Sequence, residues 1–148
     1  MATLATLLDI NLPADAGVDS VNILPALLGE NRNAPLREAT VHHSAQGKFA
    51  IRSGDWVLIL APTGDDNHKQ GEPAWFQKDR GYEPHTEAGE LFNLATDPMQ
   101  KQNRYATESS KVKELTALME RYVTEGRSTP GPKQKNDVEI IWDNRGGK

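Results

Sequence analysis

His42 and His43 are the side chains of this sequence best suited to chemistry. Imidazole is the commonest metal ligand and the usual proton carrier near neutral pH. Two imidazoles on one ion must converge, however, and neighbours on a strand point to opposite faces. In regular β geometry the pair cannot share a metal. One ring is expected to face solvent or a cleft and the other the sheet, and both are candidates for facing a ligand at a domain junction. Asp65 and Asp66 offer hard oxygens, but a calcium shell takes roughly six to eight of them. No EF-hand spacing follows, so a solvated turn is expected there. Trp75, Tyr82 and His85 lie in the same polar stretch and could stack on a sugar.

The elements that must carry these residues follow from periodicity. Met1, Leu4, Leu7 and Leu8 recur as one helical face, and the pattern is already running at the first residue without a capping side chain ahead of it. Residues 11–35 contain Pro13, Gly17, Pro25, Gly29 and Pro35, so they are expected to form no long element. A short helical turn around Pro25 (ILPALL) fits them. From Ala39 the period is two. Residues 40–44 (TVHHS), 48–53 (KFAIRS) and 55–61 (DWVLILA) read as strands, and short glycine-containing links join them into antiparallel hairpins. Trp56, Leu58 and Leu60 share one face of the third strand, with Val57 and Ile59 on the other. Both faces are apolar, so this strand is expected at the centre.

Residues 62–89 read as a long polar loop. Residues 90–94 (ELFNL) form a fourth strand that stops at Asp97 and Pro98. Ser109 or Ser110 then caps a helix reaching about Glu125, with Val112, Leu115, Met119 and Tyr122 as its apolar stripe and Gly126 as its stop. The remainder is rich in Pro and Gly, apart from an extended segment expected over 138–142 (VEIIW). The expectation is a single domain. A helix and wrapping segment fill 1–38, the sheet, long loop and helix fill 39–126, and an extended tail fills 127–148.

Composition narrows the function classes. With 17 basic and 21 acidic residues and a net charge of −4, the chain lacks the basic footprint that nucleic acid requires. Only 36% of it is apolar and the mean hydropathy is −0.65, and no run is long enough for a membrane span. Residues 1–10 lack the basic start and the continuous apolar core of an export signal. There is no cysteine, which excludes a disulfide framework, a thiolate site and a Cys nucleophile. No dinucleotide, Walker, nucleophile-elbow or zincin motif occurs.

Four segments in order resemble the end of the type I, formylglycine-dependent sulfatases (arylsulfatases). They are 1–13 (MATLATLLDINLP), 19–28 (DSVNILPALL), 50–60 (AIRSGDWVLIL) and 90–103 (ELFNLATDPMQKQN), the last followed by the expected helix. The chain departs from the family at Val57, where Lys is usual, and at Gln100, where an acidic residue is usual. The resemblance implies an α+β fold, with a small four-stranded antiparallel sheet and the C-terminal helix packed on one face. It implies a partner too, the family's catalytic domain, on which this unit docks with its loops bordering the active-site entrance.

In the family a Cys or Ser in C/S-x-P-x-R becomes the formylglycine nucleophile, and a calcium ion held by Asp and Asn binds the sulfate. Ser128, Thr129 and Pro130 come nearest, but Pro132 stands where Arg is required. Asp143 and Asn144, like Asp65 and Asp66, lie in the wrong segments for the metal. The resemblance therefore implies no catalytic residue, no metal ligand and no cofactor here. Calcium and formylglycine would belong to the catalytic domain. The expected function is a sulfatase C-terminal subdomain without catalysis of its own, a fragment or split product. The alternative is a free-standing binding module for a sulfated or carbohydrate ligand. A docking face built from the Leu4, Leu7, Leu8 stripe and one side of the sheet is expected to drive homodimerisation. Family members are often exported, while the sequence itself fixes no compartment.

Overall fold

The computed structural model describes the chain apart from residues 31–32, 65–71, 82 and 147–148 and the side chain of Arg80. Asp65, Asp66 and Tyr82 thus lie outside the described residues. The elements are α1 (Ala2–Leu7), α2 (Leu24–Leu27), β1 (Thr40–His43), β2 (Phe49–Ser53), β3 (Trp56–Ile59), α3 (Ala74–Arg80), β4 (Glu90–Asn93) and α4 (Ser109–Glu125). The chain forms two compact units. One comprises Met1–Glu38 with Glu120–Glu139, the other Ala39–Met119 with Ile140–Lys148.

In the sheet unit the four strands pair antiparallel in the order β1-β2-β3-β4. The short links decide this, because a hairpin cannot cross over. Gly54, at φ 56°, supplies the left-handed residue of the two-residue turn between Ser53 and Trp56. Register puts Thr40, His42, Ala50, Arg52, Val57, Ile59, Glu90 and Phe92 on one face. Val41, His43, Phe49, Ile51, Trp56, Leu58 and Leu91 take the other. Ile51, Leu58 and Leu91 are fully buried, and so nearly are Ala50, Val57 and Phe92. Both faces are therefore covered, as the apolar alternation in β3 requires. At roughly 25 cal/mol per Å2 of apolar surface, this double burial is the main stabilising term of the unit.

Asn103 and Asp97 hold the segment that follows β4. The Asn103 Oδ1 accepts from the Leu91 and Tyr105 N–H groups, each at 3.0 Å, and its Nδ2 donates to the Gly89 carbonyl at 3.1 Å. Asp97 accepts from the Lys101 and Gln102 N–H groups at 3.0 and 2.8 Å. The chain from Arg104 is already turning before α4 begins, and the Glu108 carbonyl accepts from Lys111 and Val112 N–H. Glu108 therefore occupies the cap position, and Ser109 and Ser110 lie inside the first turn instead of capping it. Val112, Leu115 and Met119 are buried along the expected stripe.

Residues 138–142 do not form a strand, because the sheet has no fifth partner among the described residues. Val138 and Ile141 stay exposed. The chain beyond them is tied into the sheet unit by polar contacts. The Asn144 N–H donates to the Leu60 carbonyl at 2.8 Å and its Nδ2 to the Gly47 carbonyl at 3.1 Å. Arg145 grips Asp143 through Nε at 2.8 Å and Nη2 at 2.6 Å, and its Nη1 donates to Tyr105 and Thr116. This bidentate pairing holds the Asp143 carboxyl below its usual range and raises the Arg145 guanidinium above its own.

The stretch 62–89 is not loop throughout, since α3 lies within it. Pro73 precedes the helix and Gly81 ends it in the left-handed region at φ 69°, the usual proline-start and glycine-stop pairing. Seven residues are too few to show an apolar stripe, which is why periodicity does not reveal the helix.

In the other unit α1 buries Ala5, whereas Leu4, Leu7 and Leu8 are each more than 60% exposed. Polar side chains tie α1 to the segment before α2. Ala2 N–H donates to Ser20 Oγ at 2.8 Å, and Ile23 N–H donates to Thr3 Oγ1 at 3.1 Å. Pro25 sits in the first turn of α2, where its missing N–H has no cost. The last turn of α4 ends at Gly126, φ 62°. Gly126 N–H reaches the Val123 carbonyl and Arg127 N–H the Tyr122 carbonyl, a Schellman closure. Glu38 accepts from Arg121 at 2.5 Å and from the Tyr122 hydroxyl at 3.0 Å. Arg121 draws the Glu38 carboxyl downward, while burial and then Glu38 push the Tyr122 hydroxyl up to about 12.

Candidate functional site

A cavity of about 420 Å3 opens on the sheet unit, lined by His42, His43, Lys48, Arg52 and Gln100 around an apolar floor. Ala50, Val57 and Ile59 make that floor, with Leu94 beside them. The sheet register explains the assembly. Lys48, Ala50 and Arg52 are spaced by two, so they share a face. His42 pairs with Ala50, Ala50 with Ile59 and Arg52 with Val57, which brings the same face of three strands together. His43 ends the edge strand β1 and reaches the cavity from there. Its ring lies 5.4 Å from that of Phe49, tilted by 41°. Its Nδ1 is 2.8 Å from the Ser44 carbonyl oxygen. A carbonyl only accepts, so Nδ1 carries the hydrogen and Nε2 keeps its lone pair in the neutral ring.

Of the five residues singled out by sequence, His42 and His43 both line this cavity, although the register puts their side chains on opposite faces of the sheet. Trp75 is 67% exposed on α3 and packs edge-to-face on Phe76 at 5.7 Å, without lining the cavity. His85 is committed elsewhere. Its Nδ1 accepts from the Glu87 N–H at 3.2 Å, so Nε2 carries the hydrogen and donates to Glu90 Oε1 at 3.1 Å. The other Glu90 oxygen accepts from Gly64 N–H at 2.7 Å. Glu90 is only 4% exposed, and these contacts make it a buried clasp between the loop and β4. Tyr82 lies outside the described residues.

Sequence reasoning missed Lys48, Arg52 and Gln100. The alternation of Lys48, Ala50 and Arg52 was the available signal, though it is shared by any strand with one polar face.

The described lining contains Lys48, Arg52 and two histidines. Among the described residues Ser44 is not set up as a nucleophile by His43, because His43 Nδ1 engages the Ser44 carbonyl while Ser44 Oγ accepts from the Lys48 N–H. Among the described residues no three His, Cys, Asp or Glu side chains converge as metal ligands, and no described helix is long and apolar enough to cross a membrane.

No family profile matches the chain. It is 31% identical over 119 residues to an N-acetylgalactosamine-6-O-sulfatase of Bacteroides thetaiotaomicron, covering 80% of this chain and 21% of the relative. A solved structure from work on the metabolism of multiple glycosaminoglycans by the same organism superposes with a TM-score of 0.61 at 30% identity, over 81% of this chain and 23% of that one. A 2-O GAG sulfatase shares the fold at a TM-score of 0.53 and 19% identity, over 97% of this chain and 27% of its own. The chain thus spans 21% to 29% of the length of these and similar relatives. The matched part lies in their C-terminal region. In sequence and in fold, this chain is a homologue of the C-terminal subdomain of the sulfatases.

Proposed function

We propose that these 148 residues serve as a sulfatase C-terminal subdomain with no catalysis of their own. The observation that carries this reading is a C-terminal match joined to a sequence without C/S-x-P-x-R anywhere. The family's formylglycine and calcium do not fit the residues present. There is no cysteine, the Ser128 segment ends on Pro132, and the described residues hold no ligand cluster. Sulfuryl transfer needs positive charge clamped around the reacting oxygens together with an activated nucleophile. On this reading both come from a catalytic domain, and the subdomain supplies a docked wall beside it.

The docking face is apolar. Leu4, Leu7, Leu8, Leu27 and Leu28 are each more than 60% exposed. Monomers seldom expose more than a few hundred Å2 of contiguous apolar surface. Where no catalytic domain is present, the same surface pairs with itself in a two-fold homodimer. Light scattering over a dilution series checks this: the chain should run as a dimer, and a Leu4→Ser/Leu8→Ser variant as a monomer. Both substituted positions are exposed, so folding is spared. A monodisperse species of 16.3 kDa at high concentration would contradict the docking face.

A further inference from the structure

We propose that the outer edge of β1 is a docking site for an extended segment of a partner protein, one that alternates apolar residues with an acidic one. The inference goes beyond the role proposed above, because every residue it uses belongs to the sheet unit and no catalytic domain is needed.

The two edges of the sheet differ. At β4 the Leu91 N–H donates to Asn103 Oδ1 and the Leu91 carbonyl accepts from the Arg104 N–H. The Asn93 carbonyl accepts from the Thr96 and Asp97 N–H groups. At β1 the corresponding groups are open. The Ser44 N–H donates to the Lys48 carbonyl, so Ser44, His42 and Thr40 turn their backbone groups toward β2. Val41 and His43 turn theirs outward, and among the described residues none of these two N–H and two carbonyl groups has a partner. An open row of this kind is a template for one more strand. β1 has no proline, lysine or bulge to block it.

The two faces of an added strand meet different chemistry. In antiparallel register its first residue lies against His43 and its third against Val41, each exchanging two hydrogen bonds. These positions share the face of Val41, Phe49 and Ile51, which suits apolar side chains. The second and fourth lie against His42 and Thr40, on the face of Arg52. Arg52 is exposed and pairs in register with Thr40. Its Nε donates to the Gly54 carbonyl at 3.0 Å, and among the described residues neither Nη nitrogen is engaged. The fourth residue sits two strand spacings from Arg52, about 10 Å. A glutamate there meets the guanidinium over the small Thr40, in a charge-assisted pair. The same charge argues against a second copy on this edge. Self-pairing sets His42 against its own counterpart and adds a second Arg52 to the face, while the strand TVHH brings no carboxylate for either.

Two-dimensional amide NMR and amide exchange of the full chain, titrated with the acetylated and amidated peptide VTVEV, test the edge. The peptide should shift the β1 amides in a saturable way at millimolar concentrations. Near saturation it should slow exchange of the Val41 and His43 N–H groups about 10-fold, and change Thr40 and His42 less. The peptides VTVKV and VTPEV, the second lacking the N–H that the Val41 carbonyl accepts, should bind about 10-fold more weakly or worse. Val41→Pro removes an outward N–H that the sheet does not use and should weaken VTVEV binding about 10-fold. Arg52→Glu should reverse the preference, favouring VTVKV, with dispersed spectra showing that the fold is kept. This second variant decides the matter if Val41→Pro does not fold. Equal affinity for VTVEV and VTVKV would overturn the proposal, as would an unchanged preference in Arg52→Glu. So would saturable shifts confined to residues outside β1, or none at tens of millimolar. Val41 and His43 amides already protected in the free chain and released on dilution would place a second copy on the edge and overturn it too. None of these outcomes bears on whether the chain releases sulfate, so the two readings fail separately.

Discussion

Replacing Arg127 with Ala is expected to destabilise its unit by about 3 kcal/mol. The side chain is 7% exposed and all five of its N–H groups are used. Nε donates to the Thr129 carbonyl at 2.8 Å. Nη1 donates to the carbonyls of Ala14 and Pro132, and Nη2 to the Pro130 carbonyl and the Thr129 hydroxyl. Residues 128–132 are rich in proline and lie outside any helix or strand, so the guanidinium takes the place of a hydrogen-bond ladder. Truncation would leave several part-buried carbonyls without a donor, each costing about 1 kcal/mol or more. Lysine would not restore them, because three donors on a point charge cannot reproduce a planar fork.

Urea unfolding should show the loss for both variants. Amide exchange should quicken at Ser128, whose N–H is held by Asp19. A change below about 1 kcal/mol would mean that the tail is held by something other than Arg127.

This anchor was not legible in the sequence, where residues 127–148 read as a loose tail. A buried arginine is recognised by what surrounds it, and its partners here include Ala14, far away along the chain. Hairpins are a different matter. Residues 40–61 show their period of two locally, and short glycine links leave no other connection. The stripe Val112, Leu115, Met119, Tyr122 made α4 equally plain. Periodicity failed where the local pattern underdetermined the partner. The VEIIW segment, expected to be extended, pairs with no strand of the sheet, and Ser109 and Ser110 look like caps in a chain that is already turning at Arg104. The leucines of α1 mark a helix without marking which side is buried, and the buried residue is Ala5.

The second large effect is expected at Asn103. In the Asn103→Ala variant the N–H groups of Leu91 and Tyr105 and the carbonyl of Gly89 each lose their partner. Leu91 is fully buried in β4, so water cannot fully replace the lost acceptor. At about 1 kcal/mol or more for each orphaned group, the cost should reach about 3 kcal/mol. Asn103→Asp keeps the acceptor for both N–H groups but sets a second carboxylate oxygen against the Gly89 carbonyl, so it should lose less than Asn103→Ala without restoring full stability. Thermal unfolding distinguishes the two, and equal losses would show that the acceptor is not what matters.

The same residue explains the specificity of ELFNLxxDPxxxxN as a sequence signal. The strand, the Asp97 turn and Asn103 form one hydrogen-bonded unit, so their spacing cannot drift. The cavity had no comparable signature. His42 and His43 drew notice by type, whereas Lys48 and Arg52 line the cavity with them only once the strands are paired.

The central claim is that this subdomain does no sulfate-ester chemistry by itself. The direct measurement is sulfate release from an aryl sulfate by the purified chain, with and without added calcium, against a buffer blank. The account predicts no release above the blank in either condition. Turnover that exceeds the blank and follows the chain through repurification would contradict it.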